Sequence, residues 1–159
     1  MPFPDPDEAI TVPELPPRPG LGEKDEAILR AMIKNGFVVP QRMWFNQVVG
    51  NFDRRVRDAL PENLREWFER TYSKRPDVIL EEGNILFVVE VKPYASYVAL
   101  GQALMYRHLT AVKLDPPRLV QALVLTDIPD DDFVPVAAMN AVEFRQLGEF
   151  LEPRPRFAT

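Results

Sequence analysis

Asp77, Glu90 and Lys92 are the residues of this chain whose types and spacing could do chemistry together. They lie in the stretch RPDVILEEGNILFVVEVK, residues 75–92, where two apolar β-type runs flank Gly83-Asn84. Gly-Asn between such runs is a hairpin signal, because glycine accepts the positive φ that a tight primed turn demands. With Gly83 and Asn84 as the central turn residues, Glu82 pairs with Ile85, paired numbers sum to 167, and Asp77 falls opposite Glu90. Directly opposed residues in an antiparallel pair hold their Cβ atoms roughly 4.5–5.5 Å apart, so two carboxylates would share one small volume. Lys92, two residues beyond Glu90, projects from the same strand face. Val78, Leu80, Phe87, Val89 and Val91 fill the other face and imply a buried strand pair that holds the cluster rigidly. Paired oxygen ligands on a stiff scaffold suit a hard cation such as Mg²⁺ or Mn²⁺. The competing reading is a structural ion-pair network, which would bury an acid in excess.

The elements that must position this cluster follow from periodicity. Ile28, Leu29, Met32 and Ile33 recur at helical spacing and Gly36 suits the position after a helix end, which predicts a first helix over residues 23–35. Residues 37–39 and 44–49 are β-type around Pro40, as a bent strand or short hairpin. Residues 53–60 and 61–72 turn helical, with Pro61 suited to a first helical position. Leu64, Trp67, Phe68 and Tyr72 share a stripe there, with Trp67 and Phe68 as core anchors. After the hairpin, residues 96–109 predict a helix and residues 118–125 a strand returning parallel to the second hairpin strand by a right-handed crossover. Asp127 reads as a turn residue. Residues 133–138 read as an edge strand, and Asn140 followed by Glu143 as the capping box of a last helix to about Leu151.

Pro76-Asp77 followed by Glu90-Val91-Lys92 resembles the PD-(D/E)XK nuclease superfamily. Gln102 and Tyr106 on the following helix are similar to the Gln-x-x-x-Tyr signature of its exonuclease-like branch. The resemblance spans residues 23–125 and implies an α/β, restriction-endonuclease-like core of helix, three antiparallel strands, helix and strand with a mixed central sheet. It implies a metal-dependent nuclease hydrolysing DNA phosphodiester bonds. Asp77, Glu90 and the Val91 carbonyl would hold Mg²⁺ or Mn²⁺, and Lys92 would orient or help activate water and stabilise charge. Gln102 would orient Lys92 or the water, and Tyr106 would contact a phosphate or base. A further acid usually comes from the first helix of that family. Asp25 lies on the stripe of Ile28, Leu29 and Met32 whereas Glu26 lies off it, so the role passes to Asp25. The helical stretch 53–72 departs from the core as an insert, either a substrate cap or packing. The alternative is a catalytically silent nuclease-fold module that binds nucleic acid or protein.

Bulk properties set the outer limits. The 159 residues, 46% hydrophobic, fit one domain over residues 23–151. A proline-rich, extended and solvated arm precedes it at residues 1–22, and a tail follows at 152–159. With no cysteine and a single His, His108, thiolate and multi-His metal chemistry are excluded. No apolar run can span a bilayer, and residues 1–22 lack the layout of a signal peptide, so the expectation is a cytoplasmic protein that does not engage membranes. The net charge of −5 resides in residues 1–26, which carry seven acids against Arg18 and Lys24. Residues 42–75 carry eight basic residues against five acids, a local basic surface within which Arg54, Arg55 and Arg57 read most simply as a solvated face, with phosphate contact as the sharper alternative. Cutting both strands of a duplex would ask for a homodimer, since one site cuts one strand.

Overall fold

The computed structural model describes residues 3–11 and 20–148. Its architecture is α/β, a five-stranded mixed sheet in the order β1-β2-β3-β4-β5 with helices on both faces. The strands are β1 (Arg42–Phe45), β2 (Val78–Glu82), β3 (Ile85–Ala95), β4 (Leu119–Pro129) and β5 (Val142–Gln146). The helices among the described residues are α1 (Glu23–Lys34), α2 (Arg54–Ala59), α3 (Glu62–Tyr72), α4 (Tyr97–Lys113) and α5 (Phe133–Met139). β1, β2 and β3 are mutually antiparallel, while β3, β4 and β5 run parallel. Both changes of direction follow from connection length: a two-residue turn reverses the chain, and a crossover helix restores it.

The hairpin has the expected register. Glu82 pairs with Ile85 and Val78 with Val89, and Gly83 takes φ +59°. Asn84 is not in the left-handed region. A single positive φ at the first central position is the type II′ arrangement, which twists with the strands it joins. β2 and β3 are buried on both faces, so their near-continuous apolar sequence needs no polar side. Val78, Leu80, Phe87, Val89 and Val91 pack with Leu123 and Leu125 beneath Ile28, Leu29 and Met32 of α1. Ile79, Leu86 and Val88 pack on the opposite face with Trp44 and with Tyr106 of α4. Even-numbered β3 residues therefore face α4, and that face carries Glu90 and Lys92.

Several expectations are corrected. Residues 133–138 form α5 instead of a strand: Pro135 sits in the first turn, where backbone N–H groups have no intrahelical acceptor, so its missing donor costs nothing. Asn140 ends α5 instead of opening a helix, its side-chain Nδ2 donating to the Val136 carbonyl at 2.8 Å. Ala141 then takes φ +51° and β5 begins, with residues 149–151 of the expected last helix outside the described residues. The first strand is Arg42–Phe45, overlapping the second of the two proposed runs only at Trp44 and Phe45 and leaving residues 37–39 outside it. Within the N-terminal arm, residues 3–11 pack on the fold instead of standing in solvent. Ile10 bridges Met43, Trp44 Nε1 donates to the Asp5 carbonyl at 2.7 Å, and Phe3 lies against the core, so this segment covers the β1 edge. Residues 12–19 and the tail at 152–159 lie outside the described residues.

The helical insert stands as α2 and α3, with Asp53 capping α2 through the Arg55 N–H at 2.9 Å and Pro61 at the N-cap of α3. Phe68 is buried as expected, but Trp67 is 49% exposed, so it anchors no core. Asp127 is no turn residue; it lies buried within β4.

The hairpin turn gives a direct stability test. A Cβ added at Gly83 would meet nothing within 4 Å, so Gly83→Ala costs only the strain of a left-handed L-residue. A loss of about 1–2 kcal/mol in urea unfolding, with an unchanged m-value, is expected.

Candidate metal and catalytic site

Asp77 sits just outside β2, and Pro76 explains why the strand stops there. The register sum that pairs Val78 with Val89 places Pro76 opposite Val91. In an antiparallel pair such residues, two positions beyond a hydrogen-bonded pair, would exchange two backbone bonds. Pro76 has no N–H to give. Asp77 Oδ2 instead accepts from the Val91 N–H at 2.7 Å. A strand residue's N–H and C=O point to the same side, so the Val91 carbonyl is turned toward the carboxylates without a ladder donor from Pro76.

Around this point the chain gathers acids against one cation. Lys92 Nζ lies 3.4 Å from Asp77 Oδ2 and 3.3 Å from Glu90 Oε2. Glu90 is 1% exposed. Neither of its carboxylate oxygens has a donor at hydrogen-bonding geometry; the Lys92 ammonium and the Asp77 main chain approach without closing such a bond. Asp25, in the first turn of α1, interacts electrostatically with both Lys92 and Asp77. Glu26 turns away to Arg30 at 2.8 Å, so of Asp25 and Glu26 it is Asp25 that reaches the cluster. From α4, Tyr106 is hydrogen-bonded to Gln102 and feels the charges of Glu90, Asp77 and Lys92. The structure thus draws together Asp25, Asp77, Glu90, Lys92, Gln102 and Tyr106, with Val91 as backbone. Tyr106 serves two ends, since its ring also packs in the core beside Val88 and Leu114.

The electrostatics separate this cluster from an ordinary ion-pair network, and Glu81 supplies the comparison. Glu81 is buried on the same sheet at 6% exposure, but Arg42 and Arg118 donate to its two oxygens at 2.6 and 2.5 Å. Hydrogen bonding to Arg42 holds its carboxyl below the ordinary range despite burial. Glu90 has no guanidinium. Burial first, and the neighbouring Asp77 second, push its pKa up to about 8. Burial also raises Asp25. For Lys92, burial pulls the pKa down, but Asp77, Glu90 and Asp25 together outweigh it and the net direction is upward, so the amine stays an ammonium. Tyr106 is raised, chiefly by burial, and remains a neutral phenol able to donate. A fold seeking only stability would satisfy Glu90 as it satisfies Glu81.

A hard divalent cation fits this donor set. It would supply the positive charge that one ammonium cannot, and would take the orphaned Glu90 oxygens as ligands. Among the described residues no three His, Cys, Asp or Glu side chains are close enough to cage an ion. The site is therefore two carboxylates with Asp25 at electrostatic range. Mg²⁺ characteristically binds through one or two carboxylates while keeping waters and substrate oxygens.

Two parts of the site were not read from the sequence. The bond from Val91 to Asp77 depends on the side-chain rotamer, although Pro76 opposite Val91 was the signal that the ladder would break there. Thr126, beside Lys92 in the register of β4, is buried and donates to the carbonyls of Pro93 at 3.3 Å or Ile128 at 3.1 Å. It braces the strand just past the cluster.

The raised pKa of Glu90 has a sign in stability. The folded chain holds a proton on Glu90 where the unfolded chain, near 4.5, has released it. That contribution is fully present below about 4.5 and is lost as pH rises through about 8. Without metal, the melting temperature should fall between about pH 5.5 and 8.5, reflecting a loss on the order of a few kcal/mol. Glu90→Gln should flatten this slope, and parallel profiles for the two proteins would reject the assignment.

No protein-family model, curated protein sequence or solved structure matches the chain, so the geometry of this cluster is what its function must be read from.

Proposed function

We propose that the protein is a divalent-metal-dependent nuclease that hydrolyses DNA phosphodiester bonds. The observation that carries this reading is Glu90, buried at 1% exposure with both oxygens lacking hydrogen-bond donors, beside Asp77 and sharing one ammonium with it. With the α2–α3 insert set aside, the order α1, β1, β2, β3, α4, β4 follows the helix, three antiparallel strands, helix, strand order of the PD-(D/E)XK superfamily, which supports the resemblance of Pro76-Asp77 and Glu90-Val91-Lys92.

Asp77 and Glu90, with the Val91 carbonyl, would hold Mg²⁺ or Mn²⁺. Such an ion, when bound, lowers the pKa of water and offsets charge developing on a phosphoryl oxygen. The chain's own residues do the rest. Asp77, fixed by the Val91 N–H, keeps one oxygen at a set position on the sheet end. Lys92 stays protonated and therefore offers charge and hydrogen bonds to the phosphate and to the attacking water, instead of accepting a proton itself. Tyr106 donates from its neutral phenol, held in orientation by Gln102. Asp25 adds a negative charge that keeps Lys92 protonated.

The alternative, a nuclease-fold module that binds without cutting, draws on the absence of a third close acid or His among the described residues. Labelled single- and double-stranded DNA incubated with Mg²⁺ or Mn²⁺ separates the two. Cleavage should require the ion and should drop by about 100-fold or more in Lys92→Ala, the scale set by removing one preorganised donor to a transition state. Calorimetry should show Mn²⁺ binding to the wild type and none to a double variant Asp77→Asn, Glu90→Gln. Equal cleavage by wild type and Lys92→Ala would remove the site. Metal-free binding of DNA with no cleavage would favour the silent module.

A further inference from the structure

The insert carries an exposed aromatic surface that the hydrolytic site does not use. On α3, Phe68 and Glu69 face inward: Phe68 meets Phe52 edge-on at 6.1 Å, and Glu69 pairs with Arg57 of α2 at 2.5 Å. Trp67 points the other way. Its neighbours one turn along the helix are Asn63, Leu64, Arg70 and Thr71, all exposed, and this sector contains no acid. Tyr72, 52% exposed, stands edge-on to Trp67 at 6.2 Å. An indole this exposed beside a second half-exposed ring is not there to fill a core.

Charge identifies the occupant. The insert as a whole is balanced in charge, but the sector around Trp67 is not: Arg70 is exposed and takes part in no ion pair among the described residues, while the exposed acids Glu62 and Glu66 fall outside that sector and Asp58 and Glu69 are both held by Arg57. An unpaired guanidinium one turn along the helix from an open indole complements a polyanion with free π surfaces. A duplex offers the phosphates but keeps its base faces stacked on one another, so only unpaired nucleotides can use both features.

Position connects this surface to the cluster. The base of the insert is clamped where Lys74 N–H donates to the Gly50 carbonyl at 3.0 Å and the Val49 N–H to the Lys74 carbonyl at 2.9 Å. Lys74 Nζ adds a bond to the Asn51 carbonyl at 2.9 Å. Asp77 follows three residues later, a span of at most about 11 Å. From these features we infer that the α2–α3 insert is a platform for single-stranded DNA, stacking an unpaired base on Trp67 and delivering the adjoining backbone to the carboxylates. This rests on the nuclease reading and adds to it a preference for unpaired strand or frayed ends.

The test uses the full chain carrying Lys92→Ala, so that no strand is cut, titrated with oligo-dT and with a blunt duplex of equal length. Trp44 is 2% exposed and Trp67 49%, so emission open to quenching comes from Trp67. Oligo-dT should quench it, and duplex should quench it far less. Adding Trp67→Phe should abolish the quench while anisotropy of labelled oligo-dT shows affinity retained within a few-fold. Trp67→Ala should weaken oligo-dT by about five-fold or more and leave duplex binding unchanged. Should Trp67→Ala fail to fold, the quench in the parent and its loss in Trp67→Phe still decide. Absence of a quench, or equal oligo-dT affinity for the parent and a folded Trp67→Ala, overturns the platform and leaves the face to a protein partner. Ion-dependent cleavage that requires Lys92 tests the hydrolytic reading separately, so either idea can fail alone.

Discussion

A carboxylate taken out of water without a hydrogen-bond donor is among the most expensive things a fold can hold, and the rest of this molecule is arranged around Glu90. Removing a charged group from water costs several kcal/mol even after relaxation, and a second carboxylate nearby adds to the cost. The protein's metal-free remedy is to leave Glu90 protonated up to about pH 8 and to set Lys92 between it and Asp77. That remedy is partial, because one ammonium faces three acids once Asp25 is included. The contrast with Glu81 shows that the fold is able to satisfy a buried glutamate fully when two arginines are placed against it.

The scaffold makes the strain tolerable by rigidity. β3 is buried from Leu86 to Val91 and is flanked by β2 and β4, so the backbone at Glu90 cannot retreat toward solvent. α1 and α4 pack on opposite faces of the sheet, yet each sends a polar group to the same end: Asp25 from one and Tyr106 with Gln102 from the other. The meeting point exists because β2 ends at Val78, and Pro76 keeps it from continuing. An early stop in one strand thus creates the opening that its longer neighbours border.

How much of this could be read beforehand depends on whether a signal had one meaning. Gly83-Asn84 between apolar runs had one, and the whole register followed by arithmetic, including the approach of Asp77 to Glu90. The stripe Ile28, Leu29, Met32 was equally unambiguous and packs on the sheet, and Asp25 lies within electrostatic range of Lys92 and Asp77. Asn140 had two meanings, since the same short amide caps either end of a helix, and only packing of α5 against Phe144 and Val142 selects the C-terminal one. Pro135 suggested an edge strand because a missing N–H is harmless there, but it is equally harmless in a first helical turn. Trp67 was misread because helical spacing tells which residues share a face and not which face is covered. α3 packs chiefly on the short α2, too small to cover every apolar side chain on its stripe.

The last of these misreadings falls on the insert. A two-helix unit held to the fold by a backbone clamp at Gly50 and Lys74 gains little by exposing an indole, and exposure there brings no packing energy to offset it. Glu90 raises the same question in electrostatic form: an arrangement that stability alone would discard is retained. A buried acid is commonly replaced by an apolar residue of similar volume without loss of stability. An exposed tryptophan on a helix is likewise replaced by a better helix former such as leucine or glutamate. Neither departure is required by the packing around it.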